Sequence, residues 1–155
     1  MLLSSLRARG FIIEEVYSQD ASPSLIEQNK DKKFIISNFI RLSEESKKSL
    51  HNKHYIIYEH DHKYLKTRDP SKFPNFLAPA DQVINREFYK NSQCVICLSK
   101  IQAESVRNNL GISNVESIGC SLWSEEKLNF IANISSTKEK QYCVVNSKNV
   151  VKGTK

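Results

Sequence analysis

Short apolar runs alternate along this chain with amphipathic stretches of helical length. The runs are rich in β-branched and aromatic residues, and several are apolar throughout, as strands buried on both faces are. They predict strands at Phe11–Val16, Phe34–Ile36, Tyr55–Tyr58, Cys94–Leu98, Val115–Ile118 and Tyr142–Val145. The amphipathic stretches predict helices at Leu2–Arg9, Pro23–Lys30, Ser43–Leu50, Asp81–Tyr89, Lys100–Leu110 and Ser124–Ile134. This alternation predicts an α/β fold, a Rossmann-like parallel sheet with helices on both faces.

The best-defined helix boundaries belong to the stretch that follows the fourth strand. Ser99 can cap this helix, and Gln102 three residues later completes a capping box. Gly111 supplies the left-handed residue at which helices commonly end. Apolar residues at helical spacing lie between these two signals: Ala103, Val106 and Leu110. The sequence therefore predicts a helix with one buried face directly after the strand Cys94–Leu98.

Two segments interrupt the alternation. Asp69–Pro79 is broken by prolines, so it is neither a long helix nor a central strand, and a loop of this length is often functional. Ser135–Gln141 is polar throughout and is interpreted as a linker. We therefore expect a domain over residues 1–134, a linker over 135–141 and the beginning of a second domain over 142–155.

Length and composition place the chain among ordinary globular proteins. Its 155 residues are 39% hydrophobic and 26% charged, which suits one domain with a core and excludes an intrinsically disordered chain. The 23 basic and 17 acidic residues leave a net charge of +6, which is weak evidence for an anionic partner. Because the basic residues are spread along the chain, no nucleic-acid partner is expected. No apolar run approaches the roughly 18 residues of a membrane span, so no transmembrane segment is expected.

The cysteines indicate free thiols and no metal site. Cys94 and Cys97 have metal-ligand spacing, but alternation along a strand places them on opposite faces. Cys120 and Cys143 are isolated, so a zinc site would lack its second close pair. Free buried thiols are typical of a reducing compartment, and we expect a cytoplasmic protein.

The strongest candidate for chemistry is the cluster His60, Asp61 and His62, which follows the apolar strand Tyr55–Tyr58. In open parallel sheets, ligands bind beyond the carboxyl ends of the strands, which is where this cluster lies. A histidine beside a carboxylate can act as a general base or orient a hydroxyl. The alternative is that both histidines only cap the strand and bond the loop backbone.

The same rule selects further residues for a substrate site at the carboxyl ends of the other strands. These candidates are Asn38, Lys63, Arg68, Ser99, Lys100 and Gly119. Ser99 is also explained as a helix cap, and the glycines of a nucleophile elbow are missing around it. Neither a P-loop nor a Gly-x-Gly-x-x-Gly motif occurs, so a bound nucleotide would lack the usual glycine cradle.

The order of these elements resembles that of GT-B glycosyltransferases. The resemblance rests on order and spacing and covers the chain from about Tyr55 to Gly153. The segments that carry it are Tyr55–His62 (YIIYEHDH), Phe88–Lys100 (FYKNSQCVICLSK), Gly111–Gly119 (GISNVESIG) and Val144–Gly153 (VVNSKNVVKG). It implies an acceptor-side, Rossmann-like amino-terminal domain followed by the first strand of a donor-binding domain.

The resemblance also implies roles for particular residues. His60, Asp61 and His62 would be catalytic and face the cleft near the reacting hydroxyl. Lys152 and Gly153 match the family's Lys-Gly pair, whose lysine stabilises the leaving diphosphate of the donor. Lys148 takes the place of the arginine that usually precedes that lysine. The co-substrates would be a nucleotide-sugar and a hydroxyl acceptor, either a glycan or a lipid-linked molecule, with no tightly bound cofactor.

We expect the 155-residue chain alone to transfer no sugar, because the family's donor-binding carboxylate motif lies further into the second domain. Two other functions stay open. One is a non-catalytic α/β binding module that holds an anionic partner through the basic loop from Lys63 to Lys72. The other is a metal-dependent hydrolase that uses His60, Asp61 and His62.

Overall fold

The structure is a computed structural model that describes residues 2–119 and 123–135. The last positions of the predicted linker, 136–141, lie outside the described residues. So do the last predicted strand, the predicted donor-side residues and two cysteines: Tyr142–Val145, Lys148, Lys152, Gly153, Cys120 and Cys143.

Helices and strands alternate through most of the described chain. The helices are α1 (Leu2–Ala8), α2 (Pro23–Gln28), α3 (Glu44–Leu50), α4 (Arg86–Lys90), α5 (Lys100–Leu110) and α6 (Glu125–Ser135). The strands are β1 (Phe34–Ile36), β2 (Tyr55–Tyr58), β3 (Cys94–Cys97) and β4 (Val115–Ser117). Short 3₁₀ turns occupy the long connection after β2, at Pro70–Lys72, Pro74–Phe76 and Ala80–Gln82. The predicted α/β class is thereby confirmed.

The four described strands form one parallel sheet in the order β1-β2-β3-β4. Their register places Ile36 beside Ile57, Ile57 beside Val95, and Val95 beside Val115. The last three of these side chains are fully buried. Because side chains alternate between the two faces of a sheet, this row marks the face on which the core lies.

The described helices that supply the core pack against that same face. Leu50 of α3, Phe88 of α4 and Val106 of α5 belong to one cluster with the buried row of the sheet. The strand order never reverses, and right-handed crossovers that progress in one direction place their helices on one face. The opposite face is more open, since Ile35 is 40% exposed and Ile96 half-buried. The helices α3, α4 and α5, which supply core residues, thus cover one face of the sheet.

The predicted strand Phe11–Val16 is wrong, because this segment is irregular and pairs with no strand in the described structure. Its apolar residues find no core, and Ile12 is fully exposed. The two glutamates that follow Ile12 instead form surface ion pairs, Glu14 with Lys32 and Glu15 with Arg7. These ion pairs keep the charged part of the segment at the surface, away from the described sheet.

The predicted helix Asp81–Tyr89 is also wrong in its first half. The chain makes a 3₁₀ turn at Ala80–Gln82, and α4 begins only at Arg86. Asn85 between them has a left-handed backbone, with φ of 56°. Its side chain donates to the carbonyl of Lys63 at 2.9 Å and accepts from Lys47 Nζ at 2.9 Å. These tertiary bonds stabilise the break in a segment whose pattern alone favours a helix.

Candidate functional site

A pocket of about 280 Å³ lies between the loop that follows β2 and the first turns of α5. It is at the carboxyl ends of β2 and β3, as expected for a parallel sheet. Its lining includes His62, Arg68, Phe76, Ser99, Gln102 and Ser105. Because these residues come from both elements, the pocket depends on how the loop is held against α5.

Glu59, the first residue after β2, organises the turn that carries the histidines. It is fully buried, and its Oε1 accepts the backbone N–H groups of Asp61 at 2.9 Å and Lys63 at 3.3 Å. Its Oε2 accepts the hydroxyl of Tyr89. The buried Lys63 ammonium lies 3.7 Å from Glu59 Oε1. The carboxylate thus folds the loop back over the end of the strand.

This turn separates the two histidines. The His60 ring contacts the Tyr58 ring edge-on with centroids 4.7 Å apart, and its Nε2 is 3.1 Å from Ser37 Oγ. His62 has a left-handed backbone with φ of 52°, and its Nδ1 lies 2.9 Å from the Tyr64 hydroxyl. Of the cluster His60, Asp61 and His62, only His62 is among the described residues that line the pocket.

Burial sets the protonation state of His62. Burial lowers its pKa, and this effect outweighs the attraction of the nearby carboxylates, Glu59 foremost. The ring is therefore neutral at neutral pH. Tyr64, which holds Nδ1, is buried, and burial raises its pKa to about 12, so its phenol stays protonated. Because Nδ1 is engaged, Nε2 is the ring nitrogen available to a ligand.

The lowered pKa of His62 predicts a pH dependence of stability. The unfolded chain binds a proton at this histidine at higher pH than the folded chain does, so stability is complete above the ordinary pKa of 6.5. It is lost as the pH falls through the folded-state pKa. We expect His62→Gln to flatten this part of the stability–pH curve, measured by urea unfolding. The matched variant His60→Gln should keep the slope, and an unchanged slope in His62→Gln would contradict the prediction.

The loop that lines the pocket has unusual backbone conformations. His62, Arg68 and Phe76 all have φ between 52° and 59°, and all three line the pocket. For a bulky residue such as Phe76 this conformation is an outlier. Each such residue costs on the order of 1–3 kcal/mol, and residues of this kind cluster at ligand sites. The residues with strained backbones named here are therefore residues that line the pocket.

Buried polar residues of α5 hold the loop in this conformation. Ser105 Oγ lies 2.8 Å from the Tyr64 hydroxyl, which in turn contacts His62. Asn109 accepts the N–H of Ala78 at 2.8 Å and donates to the carbonyl of Phe76 at 2.7 Å. The helix α5 thus holds the pocket loop at two places, near His62 through Ser105 and near Phe76 through Asn109.

Sequence reasoning missed Ser105 and Asn109, and it assigned Gln102 only to a capping box. The signal was present, because Gln102, Ser105 and Asn109 follow helical spacing beside the apolar stripe, where burial is expected. Of the predicted capping box, Ser99 accepts the N–H of Gln102 at 3.1 Å, but the Gln102 side chain accepts the N–H of Leu98, at 2.9 Å, and not that of Ser99. Glu59 was also missed as a buried group, although it directly follows an apolar strand.

The structure brings together some of the predicted substrate residues and not others. Arg68 and Ser99 line the pocket, and Ser99 also caps α5 by accepting the N–H of Gln102. Lys63 is 3% exposed and points its ammonium at Glu59, not at the surface. The remaining substrate candidates are exposed at the ends of their elements: Asn38, Lys100 and Gly119. Asp61 of the predicted catalytic cluster is exposed as well.

Within the described residues, no group of three histidine, cysteine, aspartate or glutamate side chains could hold a metal ion. His60 and His62 contact different neighbours, which is why their closeness in sequence does not make a ligand set. Cys94 and Cys97 are free thiols, and Cys97 is buried whereas Cys94 is half-buried. Alternation along β3 places them on opposite faces.

Comparison of the chain with family models, with curated proteins and with solved structures finds no match. Among the described helices, none is long and apolar enough to cross a membrane.

Proposed function

We propose that this chain is the acceptor-side domain of a GT-B glycosyltransferase and that the pocket receives the acceptor hydroxyl. The observation that carries the proposal is His62, a half-buried neutral histidine in a pocket at the carboxyl end of a parallel strand. The order of sequence segments that resembles the GT-B family supports the same function.

In the proposed reaction, His62 Nε2 accepts the proton of the acceptor hydroxyl while that oxygen attacks the anomeric carbon of a nucleotide-sugar. The bond between this carbon and the phosphate oxygen breaks, and the nucleoside diphosphate leaves with the electron pair. A neutral imidazole suits the first step, because a protonated one could not accept the proton. In this step Nδ1 carries the ring hydrogen and donates it to the Tyr64 hydroxyl, which leaves the lone pair of Nε2 free for the proton. Lys152, by the resemblance, would stabilise the leaving diphosphate.

A second candidate is the binding module for an anionic partner, which the position of Arg68 favours. Arg68, Lys66 and Lys72 are exposed, and Arg68 lines the pocket. Lys63 does not contribute, because its ammonium is buried beside Glu59. Binding of this kind would be reversible, weakened by salt and independent of His62.

The test is sugar transfer by the natural polypeptide that carries these residues, with a panel of nucleotide-sugars and with glycan and lipid-linked acceptors. His62→Gln should lower kcat/KM by about 10²–10⁴-fold, the usual contribution of a general base. His60→Gln is the matched control and should change the rate by less than about threefold, because exposed residues away from the chemistry have small effects.

Equal losses in the two variants would overturn the role of His62. Failure of the wild type to transfer any sugar of the panel would overturn the transferase function itself. If the wild type instead binds a polyanion such as heparin, and Arg68→Gln weakens that binding, the second candidate replaces the first.

A further inference from the structure

Phe76 combines an unfavourable backbone with an exposed aromatic side chain. Its φ is 59°, and its side chain lines the pocket while the residue is 44% exposed. Phe76 lies outside the core cluster, so burial of its ring does not offset this strain. The neighbouring Phe73 packs against the core instead. Packing therefore does not explain why Phe76 has this conformation.

The conformation is imposed on Phe76 by the rest of the fold. Its N–H donates to the carbonyl of Phe73 at 3.0 Å, and its carbonyl accepts Asn109 Nδ2 at 2.7 Å. Asn109 is buried, and its Oδ1 also binds the N–H of Ala78, two residues further along. The loop is thus held on both sides of the ring, and the ring is presented at a fixed place in the pocket.

Most of the other residues around the pocket are polar, and Pro70 and Ile101 are the apolar ones besides Phe76. His62, Ser99 and Ser105 offer ring nitrogen or hydroxyl groups, whereas Phe76 offers an aromatic face. A sugar ring likewise has a polar part and an apolar part, with hydroxyl groups around its edge and C–H groups on its faces. The electron-rich face of an aromatic ring attracts such C–H groups, and the polar groups bind the hydroxyls. A volume of about 280 Å³ is at the small end of ligand pockets and suits a single ring.

We propose that the acceptor is a carbohydrate and that Phe76 is the wall on which its terminal sugar ring stacks. This inference rests on the proposed transferase function and specifies its acceptor. Asn109 is then a positioning residue, because it acts through the backbone of Phe76. Arg68 and Phe76 both belong to the loop, so the loop after β2 determines which acceptor enters.

Binding to a glycan array tests the proposal, followed by titration of the bound glycan monitored by NMR. Phe76→Ala should weaken binding by about tenfold, and Phe76→Trp should restore it to within about threefold, because stacking depends on an aromatic face. Asn75→Gly is the matched control. Asn75 also has a left-handed backbone, with φ of 53°, but its side chain is not among the described pocket residues. This variant should bind as the wild type does.

The outcomes separate this inference from the transferase function. Glycan binding that depends on Phe76, together with no sugar transfer by the natural polypeptide, would support the stacking wall and overturn the transferase. Transfer that depends on His62 but is unchanged in kcat and KM by Phe76→Ala would overturn the stacking wall and keep the transferase. No bound glycan on the array, or equal affinity of Phe76→Ala and wild type, would overturn the inference.

Discussion

Replacing Glu59 by glutamine is expected to lower the free energy of unfolding by about 3–5 kcal/mol, the usual cost of leaving a buried charge without its partner. Glu59 is fully buried and Lys63 is 3% exposed. The Lys63 ammonium has no hydrogen-bond partner among the described residues, and Glu59 Oε1 is the nearest carboxylate oxygen, at 3.7 Å. Without the carboxylate, the ammonium keeps only the exposed Asp61, at 3.8 Å, and the Phe39 ring.

The double variant Glu59→Gln/Lys63→Met distinguishes a buried charge from a lost hydrogen bond. Methionine removes the unpaired charge and keeps the length of the side chain, so most of the lost stability should return. Asp61→Asn is the control, since this carboxylate is 55% exposed and water screens its attraction to Lys63. Urea unfolding measures all three variants. Equal stabilities of the single and double variants would contradict the buried ion pair.

Much of the fold could be predicted because its signals are local. The helix α5 has the predicted bounds, and Ser99 and Gly111 cap it as the sequence indicates. The apolar runs of β2 and β3 likewise became adjacent parallel strands. These features depend on periodicity and on residues within a few positions of each other.

The errors occur where distant residues decide the conformation. Asn85 interrupts a helical pattern because Lys47 and Lys63 lie beside it in the fold. Phe11–Val16 has an apolar pattern but meets no strand with which to pair in the described structure. The residues adjacent to either segment in the sequence do not indicate these conformations. Propensity is a weak preference that such tertiary contacts override.

In the candidate site, too, the local features could be predicted and those that depend on distant residues could not. The sequence placed a histidine cluster at the end of β2 and a loop beyond it, and both positions are where the pocket lies. It did not separate His60 from His62, because that depends on the buried Glu59 and on the left-handed backbone of His62. It also did not identify Asn109, since a polar residue on a helix is usually exposed.

Replacing Asn109 by alanine is expected to lower the free energy of unfolding by about 2–4 kcal/mol, since two backbone groups lose their partner. The N–H of Ala78 and the carbonyl of Phe76 both bind this amide. The neighbouring Asn108 is exposed on the same helix, which makes Asn108→Ala a matched control. That variant should change stability by less than about 0.5 kcal/mol.

Hydrogen exchange locates the effect of Asn109→Ala. The amide of Ala78 should exchange at least about tenfold faster, because its acceptor is gone, while the amides of β3 keep their order of protection. The variant Asn109→Asp tests, in addition, the sign of the pH dependence of stability. Its carboxylate would face the Phe76 carbonyl that now accepts the amide, and protonation would relieve the repulsion. This variant should therefore become more stable relative to the wild type as the pH falls from neutral toward about 4. A loss of stability that is the same at both pH values, with Ala78 still protected, would show that Asn109 does not hold the pocket loop.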